Sequence, residues 1–496
     1  MIAAALKTPH VDWFALSPEL ALLAASFVAL LAAVLVPRTW RRPFGNAVSL
    51  LGFAGAAAAS IVLYVESPHG HAVVAHALFR DRWAALAQII VSCIGVAATL
   101  VSWSERMRDD HVAEYYALMT AAGAGMVFFV GAANLMTLFL ALEWFSICLY
   151  IMCAIDWELE GSLEAGLKYL VVGSFGSAAL LFGSALVYGE TGRIDFAGIA
   201  HATATRGVSG QALFVLGLAL IIAGLGFKSS SAPFHMWTPD VYVGAPSSVT
   251  AFMSAATKAA ALVAAMRVLV VGFPQDTHLW HWAFAGVAVA SLAVGNFAAL
   301  VQRDVKRMLA YSSISHAGFM LIALSTGTAL GERALLYYLI PYSAMAFGGF
   351  AVVAAREREV GRAVTLDSLA GMGWERPFLG TAMAAFMLGS AGMPFTGGFM
   401  GKFYAFSAAY RHGWVWLVIV GVVATIVSLY YYLAVVRAMW MRTGELRLAT
   451  VAGGSPPRDL LLQIGVGAAF VVTVGSFFAV QPLIDLARHA ASSLPL

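Results

Sequence analysis

The residues of this chain with chemistry to offer are ionisable side chains set in the middle of apolar runs. Glu143 lies in LFLALEWFSICLYIM, Lys168 in GLKYLVVGS, Lys228 at the end of LFVLGLALIIAGLGFK, Lys258 in FMSAATKAAALVAAM, His316 in SSISHAGFM and Lys402 in GGFMGKF. At about 1.5 Å rise per residue, Lys258 sits ~15 Å into its helix and Lys228 more than ~20 Å into its own, too deep for snorkelling to excuse both. Each such charge costs roughly 2.5–3.5 kcal/mol on insertion scales, so four lysines and a glutamate come to on the order of 12–17 kcal/mol. That rivals the net stability of an ordinary fold, about 5–15 kcal/mol. Groups this costly are either paired and hydrated or kept for what they do. Titratable groups spread over several helices are the makings of a proton path. Burial disfavours a lysine's charged form and a nearby carboxylate favours it, so Glu143 beside a lysine would work as a latch whose opening frees a proton for the next group.

Each residue also has a plainer reading. Glu143 and Lys228 could form a salt bridge that only locks helices, and Lys168, a few residues inside its segment beyond Glu164, could simply reach the interface. His316, preceded by Ser312, Ser313 and Ser315, could be a satisfied polar histidine, and Arg267 reads as a snorkelling anchor at the end of its helix. The ionisable groups lie on six different helices rather than pairing one to one, which favours the path.

The elements that must position them are membrane spans. The chain has 496 residues, 61% hydrophobic and 11% charged, with a mean hydropathy of +0.83. Apolar runs of roughly 20 residues recur about 14 times, which predicts an all-α polytopic membrane protein. Two of the runs are anomalous. The seventh, 211–243, breaks after Lys228 at Ser229–Ser231, Ala232 and Pro233, restarts near Pro239 and turns at Gly244, Ala245 and Pro246. The twelfth, 377–410, is too long for one span and is interrupted by Gly392, Pro394, Gly397 and Gly398. Proline has no amide donor and disfavours helix before it, so such breaks survive in lipid only where protein or a water-filled cavity surrounds them. Broken helices five spans apart are the signature of inverted repeats. The expected division is therefore three helices in 1–111, a five-helix repeat in 112–272, an inverted five-helix repeat in 273–442, and a fourteenth helix in 443–496.

Charge orients this arrangement. Loops carrying Arg38, Arg41, Arg42, Arg106, Arg108, Arg303, Lys306, Arg307, Arg356, Arg358, Arg362, Arg376, Arg437, Arg442, Arg447 and Arg458 fall on one side. The other side, with Lys7, Arg80, Arg82, Arg193, Arg206, Arg333, Arg411 and Arg488, is the poorer by about two to one, so both termini are expected to face outward. The N-terminus lacks an adequate apolar core and cleavage site, which predicts a retained first helix rather than a removable signal. Cys93, Cys148 and Cys153 all lie in apolar helix, which argues against a disulfide framework or a metal site. No nucleotide loop, basic nucleic-acid stripe or soluble domain is present, and the largest polar loop, 356–376, is too short to fold alone.

GFKSSSAPFHMWTPDVYVGAPSSVTAFMSAATKAA, DVKRMLAYSSISHAGF and GMPFTGGFMGKFY resemble the antiporter-like subunits of respiratory complex I, NADH:quinone oxidoreductase. The similarity runs through nearly the whole chain and is strongest across the two broken helices. It implies a proton path in which Glu143 and Lys228, modulated by Lys168, feed Lys258, then His316, then Lys402. It further implies a bacterial inner-membrane complex whose FMN, iron–sulfur clusters and quinone chemistry lie in other subunits, with no cofactor in this chain. The expected partners are an antiporter-like neighbour, subunit M, the small membrane subunits K and J, and the lipid bilayer. The alternative is a subunit of a multisubunit sodium/proton antiporter or of a related ion-pumping hydrogenase complex.

Overall fold

The structure, a computed structural model, describes residues 11–105, 110–442 and 459–494. Of the basic residues used above for orientation, Lys7, Arg106, Arg108, Arg447 and Arg458 lie outside the described residues. The chain is almost wholly helical. It opens with α1 (Ser17–Leu35), α2 (Arg38–Glu66), α3 (Arg82–Ser102), α4 (Val112–Val130), α5 (Leu135–Cys153), α6 (Glu160–Thr191) and α7 (Phe196–Arg206). The middle is α8 (Ala212–Lys228), α9 (Trp237–Gly244), α10 (Ser247–Arg267), α11 (Thr277–Leu300), α12 (Val305–Leu324) and α13 (Ala329–Val360). The last part is α14 (Met372–Glu375), α15 (Pro377–Ala391), α16 (Gly397–Arg411), α17 (Val415–Met441), α18 (Leu460–Phe478) and α19 (Val480–Ala491). One short hairpin, β1 (His71–Val73) against β2 (Leu78–Arg80), joins α2 to α3.

Among the described residues 11 helices are long and apolar enough to cross a membrane. The polar α12 and the two broken pairs, α8 with α9 and α15 with α16, bring the crossings to the expected number. Interloop bonds respect the alternation that such crossing requires. On the face where α1 begins, Arg80 pairs with Asp12 at 3.0 Å and the Tyr64 hydroxyl donates to Leu486 O at 2.8 Å. On the opposite face Arg358 joins Glu105 at 3.2 Å and Asp459 at 3.3 Å.

The inverted repeat is visible in a paired device. Asn134 caps α5 by accepting from the Thr137 amide, and its backbone bridges to Asp195, just beyond α6. Asp304 caps α12 by accepting from the Arg307 amide, and its backbone bridges to Thr365, just beyond α13. The two lie at opposite faces, five crossings apart. In the same way α6 packs on both halves of the first broken helix and α13 on both halves of the second.

Both breaks form where expected, with differences at their edges. The restart expected near Pro239 comes at Trp237, because a proline in the first turn replaces an amide that would be unpaired anyway. Gly397 and Gly398, expected inside the second break, instead open α16. A Cβ on Gly398 would lie 2.0 Å from Gly389 O, so a bare backbone there lets α16 fold back on α15. The amphipathic α7 and the short α14 were not legible as spans, being too short and too polar.

At the centre stands α10, every residue of which is buried. Its run of alanines and serines lets α3, α12 and α13 approach closely. Arg267 at its end is no snorkelling anchor. It is 1% exposed and forks onto Asp81, itself fully buried, with two bonds of 2.7 Å. An arginine reaches the interface only when no carboxylate competes, and here the cap residue of α3 does.

The opposite face is stitched by Glu105, which accepts from Arg358 and from the Ser248 amide at 3.3 Å. Burial alone would raise its carboxyl, but the Arg358 guanidinium, with help from Ser248 and Lys306, pulls it below the ordinary glutamate range. A depressed value means that the stability Glu105 adds is complete above that ordinary range and is lost as pH falls through the lower, folded value. Acidification of the detergent-solubilised protein is therefore expected to lower its thermal midpoint, and Glu105→Gln to flatten that dependence; an unchanged acid dependence in Glu105→Gln would remove this residue from the account.

Candidate functional site

The first break is held by side chains and by a backbone bond, as its missing helical bonds require. The Ala232 amide donates to Ser291 Oγ on α11 at 2.8 Å, the Ser231 amide to Gly226 O at 2.9 Å, and Trp237 Nε1 to Phe227 O at 3.2 Å. Pro233 lies in this turn, and the Ala232–Pro233 peptide is cis. Lys228, the last residue of α8, is thereby delivered into the interior, where it is fully buried. Its Nζ donates to Ser146 Oγ on α5 at 2.7 Å and to the Tyr169 hydroxyl on α6 at 3.0 Å, and it lies 4.3 Å from the Phe145 ring centre. Tyr169 is fixed by stacking on Trp237.

Lys258, midway along α10 and fully buried, donates to Ser313 O and, at 2.9 Å, to Ser313 Oγ on α12. One turn further along α12 is His316, 2% exposed. Both of its ring nitrogens meet phenols, Nδ1 with Tyr338 of α13 at 2.9 Å and Nε2 with Tyr432 of α17 at 3.1 Å. Tyr432 also bonds Ser312. In the second break, which holds Pro394, α15 ends at Ala391, and Gly392 takes the left-handed backbone, φ +82°, that a side chain would resist. Lys402 reaches back from α16 to cap the exposed end of α15, donating to Ser390 O at 2.9 Å and Ala391 O at 3.2 Å. Its Nζ is 4.3 Å from the Phe319 ring centre, and that ring packs edge-on to His316. The half-helix terminus adds a partial negative charge where the amine sits.

Chemically, three buried amines share one arrangement. Each has two neutral oxygen acceptors and, among the described ion pairs, no carboxylate. A neutral amine has two N–H groups and an ammonium three, so either form fills both bonds without moving the side chain. His316 can take a proton at one nitrogen and release another at the opposite one, with a hydroxyl waiting on each side. Tyr432→Phe should leave the His316 Nε2 and Ser312 side without this partner. The fold would lose about 1–3 kcal/mol, and any proton transfer through His316 should slow by about tenfold or more, read as the initial rate of acidification in vesicles; an unchanged rate would take Tyr432 out of the path.

Two expected residues are not brought into the row. Glu143, half-buried on α5, stands beyond ion-pair distance of Lys228 though near enough to act on it electrostatically, and its Oε1 has no hydrogen-bond partner. Ser146, one turn along α5, occupies the position expected of the acid. Lys168 stays 42% exposed and pairs with Glu164 at 2.6 Å and with Asp240 at 2.8 Å. Asp240 also binds Arg307, so Lys168 helps clamp α9 between α6 and α12 rather than facing Lys228. Asp240 stands in the quoted WTPDVYVGAP and was readable as a charge. Tyr169, Tyr338 and Tyr432 were not readable, being aromatic residues among many in apolar helices.

Inverted halves, each with a broken helix and a buried amine beside the break, define the class of antiporter-like membrane subunits. Residues 132–428 match the family described as NADH:quinone oxidoreductase/Mrp antiporter, TM, and the chain belongs to that family, in its NADH-quinone oxidoreductase subunit N branch. Subunit N of Trichlorobacter lovleyi is 40% identical over 431 residues, 86% of this chain and 87% of its own. That of Azorhizobium caulinodans is 40% identical over 484 residues, covering 97% and 98%. A chain of respiratory complex I from Thermus thermophilus is similar at a TM-score of 0.78 and 32% identity over 95% of this chain and 99% of that one. A chain of the Mrp complex from Dietzia sp. shares the fold, at a TM-score of 0.82 and 23% identity over 96% and 97%.

Proposed function

We propose that this chain is the proton-translocating membrane-arm subunit of an NADH:quinone oxidoreductase. The observation that carries the reading is the row of three buried amines, Lys228, Lys258 and Lys402, each on two neutral acceptors, with His316 between the last two. Protons enter by Glu143 and Lys228, pass to Lys258 and His316, and leave by Lys402. Lys168 acts from the edge, through Asp240 and α9, on the position of the first break. Water must bridge Glu143 to Lys228, and Lys228 to Lys258, since none of these pairs is in direct contact. Pro233 and Pro394 keep the two breaks open for it. The path then spans both five-helix units, 112–272 and 273–442, flanked by the helices of 1–111 and 443–496.

Moving one proton against about 150–200 mV costs about 3.5–4.6 kcal/mol. That energy is supplied by partners that hold FMN and iron–sulfur clusters and reduce a quinone, this subunit being the non-redox part of the enzyme. The contacting partners are the antiporter-like subunit M and the small subunits K and J. The complex sits in a bacterial inner membrane, with the face where α1 begins on the outer side, because the arginine-rich loops hold to the cytoplasm.

Copurification tests the assignment. Isolation from membranes should yield a large assembly with flavin and iron–sulfur absorption that acidifies vesicles when given NADH and a quinone. A lone oligomer that exchanges sodium for protons without NADH would establish the antiporter alternative instead.

A further inference from the structure

Among the described residues outside the amine row, Glu19 is a buried carboxyl with no assigned task. Glu19, in the first turn of α1, is 4% exposed, and its Oε2 has no hydrogen-bond partner. Its Oε1 receives one long bond, 3.4 Å, from Gln88 Nε2 on α3, and that nitrogen is shared with Val127 O on α4 at 3.3 Å. One turn beyond Gln88, the fully buried Ser92 also has an unpartnered hydroxyl. Among the described residues, the arginines at this end of the bundle are committed elsewhere. Arg80 pairs with Asp12 and Glu66, Arg82 donates to Tyr64 O, and Arg267 forks onto Asp81. Towards the opposite face the Phe53 ring closes the space, packed so tightly on α3 that a Cβ on Gly95 would lie 2.1 Å from it.

An ionised carboxylate asks for several donors, and a neutral acid for one acceptor. Here the side chains offer one shared amide N–H, beside the residue's own backbone N–H, and among the described residues no cation, in surroundings where a bare charge is costly. We infer that Glu19, with Gln88 and Ser92, forms a second proton-binding site, off the amine row and closed from the opposite face by Phe53, and that Glu19 is where a lipid-soluble carbodiimide modifies this part of the chain. The modification balances without a co-reactant. The acid O–H adds across one C=N bond, its oxygen bonding the central carbon and its proton going to nitrogen, and the acyl group then shifts to nitrogen to leave a stable acylurea.

The test uses the assembled complex in native membranes at neutral pH. The infrared difference between the natural protein and Glu19→Gln should show the carbonyl band of a neutral acid, and Ser92→Ala should shift that band. Peptide mapping after treatment with dicyclohexylcarbodiimide should place an adduct on Glu19 that is lost in Glu19→Gln. Carboxylate stretches in place of the acid band, or an unmodified Glu19, overturns the inference.

Discussion

Lys258→Ala is expected to stop NADH-driven proton pumping, a fall of about tenfold or more, while NADH oxidation by a soluble electron acceptor continues in an assembled complex. The reason is geometric. Lys258 is the ionisable residue midway along the fully buried α10, and its Ser313 acceptors stand one turn from His316 on α12. Removing the amine also takes a donor from Ser313 O and Oγ, although Oγ keeps its bond to Ala310 O at 2.7 Å, so assembly must be measured beside activity. Lys258→Arg separates charge from proton transfer. Guanidinium keeps the charge and does not give up its proton, so it should fail as alanine does. If the arginine variant pumps normally, a fixed charge suffices and the relay through Lys258 is wrong. If the alanine variant pumps normally, the amines are scaffolding.

The second large effect is on stability. Asp81→Ala leaves the Arg267 guanidinium, 1% exposed, without its partner. Breaking a buried pair from one side costs about 3–5 kcal/mol, a large share of a net stability of roughly 5–15 kcal/mol. The expected result is a sharp fall in the amount of chain accumulated in membranes and a lower thermal midpoint in detergent. Asp81→Asn, which keeps the acceptor that caps α3 at the Ala84 amide, should lie between. Replacing both partners by apolar residues, Asp81→Leu with Arg267→Met, should recover much of the loss, since the desolvation cost of both charges disappears. A midpoint for Asp81→Ala equal to that of the natural chain would show that the pair does not hold α3 to α10.

Much of this was legible because a membrane makes polar residues conspicuous. Lys228, Lys258, His316 and Lys402 stood out by depth alone, and Pro233 and Pro394 marked the breaks that deliver two of them. What was hidden were their partners. His316 meets Tyr338 at a separation of 22 residues and Tyr432 at 116, and Arg267 meets Asp81 at 186. A helix such as α10, buried on every side, has no polar face from which to read its neighbours. Attraction of opposite charges pointed from Glu143 to Lys228, yet the register of α5 presents Ser146 there. Snorkelling placed Arg267 at the interface, because the carboxylate that holds it is far off in sequence.

The caps at Asn134 and Asp304, each bridged to the strand of chain beyond the next helix, have a consequence for biosynthesis. A ribosome making this protein feeds the same arrangement of helices into the bilayer twice, once each way up. Packing that serves equally well in both senses cannot tell the insertion machinery which way to turn it. The arginine-rich loops must carry that instruction, so moving a few of them should endanger the topology of a whole half before it disturbs any contact within it.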